Sequence, residues 1–321
     1  MSIQLYKLSF PSGMHLDAGS YGYETSEVMI HSDTLFSALC CCANLLGGDA
    51  WVNKLLSDLV ISSAFPYAGE RLFFPKPLHL AQPAFSAGKY SEQKAYRKVR
   101  FFEKSLLEAA LQEKLDIASS FDGDHVKNGC WFSQDAEEIY KTIEHPRVVI
   151  DRITNQTTIF HFQEVHFASG CGLFFIADCG ADTQLETILN ASLGLLGDEG
   201  IGSDGTVGKG LFDFTIDKSF KGFPAFSGNR YYLLSLYHPT ADEVALILPA
   251  NSNYDIITRR GWSSAWGGMD LRRQSLRMFV EGSVVEYSAL TSPTGDNIAI
   301  MPDLPHVMRY GKALTLKINP S

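Results

Sequence analysis

The chain has 321 residues, 45% hydrophobic and 20% charged, with a formal net charge of -9. That length accommodates two domains with cores of their own, and the composition excludes a disordered or fibrous protein. The acidic balance excludes a surface uniformly suited to nucleic acid, because phosphate contacts need cationic side chains.

From the N-terminus, "IQLYKLSF" alternates apolar and polar residues and predicts a first strand. "HSDTLFSALCCCANLLGG" (31–48) then predicts a helix. Ser32 is placed to cap it, Asp33 sits in its first turn, Leu35, Leu39, Cys42 and Leu46 recur at helical spacing, and Gly47 is the predicted stop. Pro66, Pro75 and Pro77 among the aromatics of "ISSAFPYAGERLFFPKPLHL" predict short extended segments. From about 82 to 150 the composition turns to Lys, Glu, Gln and Ser, with one predicted helix at "FFEKSLLEAALQEKL", and reads as an insertion. Strand-like runs follow at "RVVIDRIT", "TIFHFQEVHF" and "GLFFIADC", then a helix at "ADTQLETILNASLGLLG" and a strand at "LFDFTID". The order to residue 220 fits a ferredoxin-like β-α-β-β-α-β unit with an elaborated middle. Residues 221–321 read as a second, strand-rich α+β domain.

No run of about 18 apolar residues predicts a membrane span, and "MSIQLYKLSF" lacks a basic stretch leading into an apolar one. The six cysteines (Cys40, Cys41, Cys42, Cys130, Cys171, Cys179) have neither zinc-site nor disulfide-framework spacing, which predicts reduced thiols. A cytoplasmic location is expected. The positive charge gathers in two islands. One holds Lys89, Lys94, Arg97, Lys98, Arg100 and Lys104; the other holds Arg259, Arg260, Arg272, Arg273 and Arg277.

Gly200, Gly202 and Gly205 stand at G-x-G-x-x-G spacing in "LGDEGIGSDGTVGKGLFDF" (196–214). A dinucleotide fingerprint follows a strand and opens a helix. Here a helix precedes and a strand follows, so no helix N-terminus faces a ligand, and no cofactor is expected. A long flexible connection would explain the glycines. So would a backbone surface bare of side chains, with Ser203, Gly208 and Lys209 beside the glycines, on which a nucleic-acid backbone lies close; this second reading is preferred. No metal site is expected, since His161 and His166 lie five apart on a predicted strand and so on opposite faces. His15 and His31 are conceivable acid/base groups on an RNA 2'-hydroxyl, but no partner for either is identifiable by spacing.

A set of phrases in fixed order carries a resemblance: "SEVMIHSDTLFSALC", "ISSAFPYAGERLFFPKPL", "RVVIDRIT", "GLFFIA", "GIGSDGTVGKGLF", "RRGWSSAW", "MFVEGSVV" and "HVMRYGKALTLKI". Together they resemble the fourth-subunit family of the type III-A CRISPR Csm effector complex. The resemblance implies a RAMP-superfamily protein of two ferredoxin-like (RRM-like) domains, 1–220 and 221–321, with the insertion at about 82–150 as a protruding thumb. It further implies a non-catalytic subunit that binds the 5' handle of crRNA and docks the large polymerase-like subunit and a backbone RAMP subunit. On this reading the Gly200–Gly210 loop meets handle phosphates, with His31 and Ser32 near the same surface. Arg97, Arg100, Arg147 and Arg152 in or beside the thumb, and Arg259, Arg260, Arg272 and Arg273, are candidate RNA contacts. A bulky residue at Gly202 or Gly205 is expected to weaken RNA binding without unfolding the protein. The alternatives are a metal-independent endoribonuclease acting on CRISPR precursor RNA, and a scaffold that touches only protein.

Overall fold

The first strand, Ile3–Ser9, is buried on both sides: Leu5 faces one apolar cluster, Tyr6 and Leu8 another. In the computed structural model, which describes residues 3–17, 24–83, 85, 90–224, 226–264, 270–301 and 307–318, this strand lies second from one edge of the main sheet. It runs antiparallel to Cys171–Asp178 on one side and to Asp213–Asp217 on the other, with Tyr6 opposite Phe175 and Ile216. Phe65–Ala68 pairs with the far edge of Cys171–Asp178. Helices Ser32–Asp58 and Thr183–Glu199 pack on each other over the face carrying Tyr6, Leu8, Leu173 and Phe175. Strand order, directions and helix placement are those of a β-α-β-β-α-β unit. Lys89 of the first basic island lies outside the described residues.

Two details of the first helix depart from expectation. His31, not Ser32, occupies the N-cap, and no side chain caps the helix. Ser32 is fully buried, its Oγ accepting from the Leu236 N–H (3.0 Å) while its own N–H donates to Ser63 Oγ (2.8 Å). The helix also does not end at Gly47. Gly48 adopts φ +62°, the helix kinks, and helical turns resume to Asp58, since glycine takes a positive φ without penalty and the turns beyond it bury Leu55. By length and composition this helix could cross a membrane, but Leu35, Phe36, Leu39 and Ala43 face the protein core.

The insertion starts earlier and ends later than composition suggests. Gly69 donates its N–H to the Gly170 carbonyl (2.9 Å), so the chain leaves the core sheet and returns to it at one point. The polar-looking stretch within it is well packed. Strands Arg71–Pro75, Phe101–Glu103, Cys130–Trp131 and Val126–Lys127 extend the main sheet, and Tyr96, Phe102, Phe121, Trp131 and Phe132 pack as its aromatic centre. The residue types that look polar lie on the outward side of two short helices, Tyr90–Arg97 and Lys104–Leu111. Residue 150 is not a boundary: Tyr140–Ile150 and Thr157–Phe167 pair along their whole length as an antiparallel hairpin that joins no other sheet.

The C-terminal residues pack on the sheet face opposite the two helices. Arg230–Leu233 lies between Val284–Glu286 and Thr315–Ile318. From it Tyr232 and Leu234, with Val284, Leu314 and Ile318, join Phe65, Phe73, Phe74 and Phe174 in one apolar cluster. The helix described in this part, Ala241–Leu246, is closed by a capping box between Thr240 and Glu243. Because one core serves both parts, neither is positioned without the other.

Candidate nucleic-acid interface

Three segments meet at the base of the hairpin. Residues 13–17 form the first: Met14 and Val165 exchange backbone hydrogen bonds (3.0 and 2.8 Å), pinning the hairpin to the chain just after the first strand. The glycine loop is the second. Ser203 donates its N–H to the His15 carbonyl (3.0 Å) and Gly210 donates to the Gly13 carbonyl (3.1 Å). The inner face of the hairpin is the third, on which the two-residue period of a strand aligns Phe160, Phe162, Glu164 and His166 with His145 and Arg147 across the register.

Glu164 is the hub. Its carboxylate, 2% exposed, accepts from Lys209 Nζ (2.7 Å) and lies 3.0 Å from His166 Nε2, 3.9 Å from His145 Nε2 and 3.6 Å from an Arg147 nitrogen. Burial would raise its pKa, but the hydrogen bonds from Lys209 and His166 and the Lys209 charge hold it below the usual carboxylate range. Arg147 also pairs with Asp204 of the glycine loop, and its guanidinium stacks over the Phe162 ring at 3.9 Å. A buried anion thus fixes a lysine and an arginine from distant parts of the chain on one partly exposed surface.

The loop's amides serve the protein. Those of Ile201, Ser203, Val207, Gly208, Lys209 and Gly210 all donate to protein carbonyls, so the backbone surface expected to meet phosphates is largely occupied. Gly202 has φ +101°, and a Cβ there would lie 2.3 Å from the His15 carbonyl oxygen; at Gly210 it would lie 2.1 Å from that of Ile201. Those glycines permit close packing of two backbones, so a bulky residue at Gly202 would displace the loop itself, against the expectation that it weakens RNA binding with the fold undisturbed. Gly205 and Gly208 differ: at Gly208 a Cβ would meet nothing, and at Gly205 only the Glu199 carbonyl at 3.3 Å.

The hairpin projects from this base. Phe162 and Val165 are buried, while Val148, Val149 and Ile159 are more than half exposed and Ile153 at the turn is 93% exposed. Asp151 organises the turn by accepting from the N–H groups of Ile153 and Thr154, and Arg152 is exposed beside it. Arg97 is exposed on its helix, and Arg100 is half-exposed and paired with Glu27 (3.0 Å).

The remaining candidates lie elsewhere, at the junction with the C-terminal residues. Asp33, nearly fully buried, accepts two hydrogen bonds from Arg259 (2.9 and 3.0 Å) and one from Arg309. Burial would raise the Asp33 pKa, yet Arg259 and Arg309 hold it below the ordinary value. His31 donates from Nδ1 to the Glu281 carboxylate (2.9 Å), which also accepts from Ser63. Ser32 cannot reach an RNA, being fully buried, and Arg259 is committed to Asp33. Arg260 and Arg272 are exposed, and Arg273 is half-buried. Sequence reasoning missed Glu164, His145 and Phe162. Their signal was present in the alternation of "TIFHFQEVHF", where Phe162, Glu164 and His166 fall on one face, but the pairing register that adds His145 is a tertiary fact.

Residues 227–318 match the family described as the CRISPR Csm4 C-terminal domain. A protein from Thermococcus onnurineus (strain NA1) named CRISPR system Cms protein Csm4 is 27% identical over 79% of this chain and 81% of its own. One of the same name from Mycobacterium tuberculosis is 25% identical over 88% of each. Among solved structures, a chain of the Csm3–Csm4 subcomplex of the type III-A CRISPR-Cas interference complex superposes over the full length of both chains (TM-score 0.67, 19% identity). A chain of the Csm1–Csm4 cassette in complex with cA4 covers 99% of each (TM-score 0.63, 21% identity). At these identities the structures establish a shared fold.

Proposed function

We propose that this chain, similar to Csm4 proteins over most of its length and matching the Csm4 C-terminal domain over 227–318, is the non-catalytic RNA-binding subunit of a type III-A Csm complex, gripping the 5' handle of crRNA at the base of its hairpin. The observation that carries this reading is the convergence of Lys209 and Arg147 on Glu164 and Asp204, which presents two cations, one of them backed by the buried Phe162 ring, on one surface below a projecting arm. Ion pairs with the buried Glu164 and with Asp204 preset the positions of both cations, so less ordering entropy opposes phosphate binding. The phosphates contribute affinity, and the exposed apolar side chains of the arm, Val148, Val149, Ile153 and Ile159, meet unstacked bases of a single strand.

The similar structures come from assemblies with Csm1 and with Csm3. By extension this subunit docks a large polymerase-like subunit and a backbone RAMP subunit, and the arm is its thumb against the RNA. A processing endoribonuclease built on His15 or His31 is less well supported. His15 is buried with Nδ1 at 2.7 Å from the Gln163 carbonyl, and His31 is engaged by Glu281.

The test is a gel shift with the full chain, alone and with its large-subunit partner, on crRNA with an intact or scrambled 5' handle in EDTA. The RNA is recovered and sized. Preferential shift of intact RNA of unchanged length is expected. A discrete shortened product, or equal shifts of both RNAs, would sink the handle-binding reading.

A further inference from the structure

The Glu164 hub has more donors than two ion pairs require. His145 and His166 approach the same carboxylate oxygen from the two strands of the hairpin, at 3.9 and 3.0 Å, and all three ligand atoms lie within 4.8 Å of one another. A tetrahedral zinc ion with bonds of about 2.0–2.2 Å holds its ligand atoms roughly 3.3–3.5 Å apart. The two histidine-to-carboxylate separations lie on either side of that spacing. Two imidazoles and one carboxylate are a set that binds Zn2+ and neighbouring divalent metals of similar softness, with the fourth position left for water or a ligand oxygen. Both histidines are partly exposed, with side chains 47% and 34% accessible, while Glu164 is buried, so the three groups form a cup open to solvent.

The geometry points to a divalent-metal site of Zn2+ type formed by His145, Glu164 and His166, in which the ion takes the place of the Lys209 ammonium on Glu164. The exchange follows from charge. Lys209 Nζ occupies the same carboxylate oxygen at 2.7 Å, and a dication beside that ammonium would repel it. Arg147 faces the other oxygen at 3.6 Å and keeps its pair with Asp204, so it need not move. Metal binding therefore turns Lys209 outward while leaving the hairpin anchored through Met14 and Val165.

The experiment uses the full chain, stripped with EDTA and titrated with Co2+, followed by visible absorption, and then with Zn2+ in competition. One equivalent of Co2+ giving an absorption band, displaced by one equivalent of Zn2+, is expected. Glu164→Gln, His145→Ala and His166→Ala should each weaken binding at least tenfold. His161→Ala, on the opposite face of the hairpin, should leave it unchanged, and circular dichroism reports whether each variant is folded. Lys209→Met should bind Co2+ several-fold more tightly. A protein without the band, or one whose band is indifferent to loss of His145 and His166 in folded variants, overturns the site; unchanged or weaker binding in Lys209→Met overturns the exchange. No RNA is present, so failure here leaves the RNA-binding reading standing.

Discussion

Asp33 and Arg259 stand 226 residues apart in the chain and form a two-point ion pair at 2.9 and 3.0 Å. The arginine holds the start of the first helix, so the N-terminal unit is tied to the C-terminal residues by charge as well as by their common apolar cluster. Replacing Asp33 by Asn leaves Arg259 and the buried Arg309 without their counter-charge. A loss of about 3–5 kcal/mol in urea unfolding is expected; a variant within about 0.5 kcal/mol, the range of a surface substitution, would show that the pair is dispensable.

The His31–Glu281 pair makes the same junction pH-dependent. Burial would lower the His31 pKa, but Glu281 raises it overall above its ordinary 6.5. Burial would raise that of Glu281, but His31 and Ser63 lower it overall below 4.5. A raised histidine contributes fully below its unfolded pKa and loses that contribution as pH rises through the folded value; a depressed carboxylate contributes above its unfolded pKa and loses it as pH falls through the folded value. The pair is therefore at full strength between about pH 4.5 and 6.5 and weakens on the alkaline side first through His31. Unfolding midpoints measured across pH 5–9, a range set by histidine chemistry, should fall more steeply in the natural protein than in Glu281→Gln. Parallel curves would refute the assignment.

Among the loop glycines, substitution by alanine should separate packing from surface. At Gly202 a positive φ and the His15 carbonyl both oppose a Cβ, and a cost above roughly 3 kcal/mol is expected, since strain alone contributes about 1–3. At Gly208 only the backbone conformation opposes it, at about 1–2 kcal/mol. Equal thermal shifts for the two would contradict the packing role of Gly202.

Lys209→Ala should remove one phosphate contact. Plots of log affinity against log salt for single-stranded crRNA should then lose about 0.7 in slope. Arg147→Ala should do the same and also lower the binding that persists at high salt, because its stack on Phe162 goes with it. Slopes unchanged in both variants would remove this surface from the interface.

Cutting back the distal half of the hairpin, 148–159, to a tight turn should leave the unfolding midpoint nearly unchanged, since that half is exposed and touches no other sheet. RNA affinity should drop in the same protein. Intact affinity would restrict RNA contact to the base.

Local patterns were legible in the sequence where burial is regular. Tyr6 and Leu8 alternate, and Leu185, Leu189, Leu193 and Leu196 repeat at helical spacing, so the first strand, the second core helix and the order of the unit could be read directly. Gly47 misled because a glycine that ends a helix and one that kinks it look alike until the following turn finds something to bury. Ser32 misled for a related reason: its hydroxyl had a distant amide, Leu236, to satisfy. At the candidate site, Lys209, Arg147 and the glycines were legible as residue types. Glu164 was not, because its meaning depends on which cations the fold brings to it, and a carboxylate in an alternating strand reads as solvent-facing.

Beyond the base pinned by Met14 and Val165, the hairpin is an appendage whose length the core does not feel. The arm's strands are 11 residues each, and a strand advances about 3.3 Å per residue. The reach of the arm is then adjustable by inserting residues in pairs, one pair per strand, each step adding about 7 Å and preserving which side chains face inward. An odd insertion would instead turn the arm inside out. A gauge of this kind, rooted at Glu164 and graduated in steps of two, could be recut to a different nucleotide spacing without any change in the sheet that carries it.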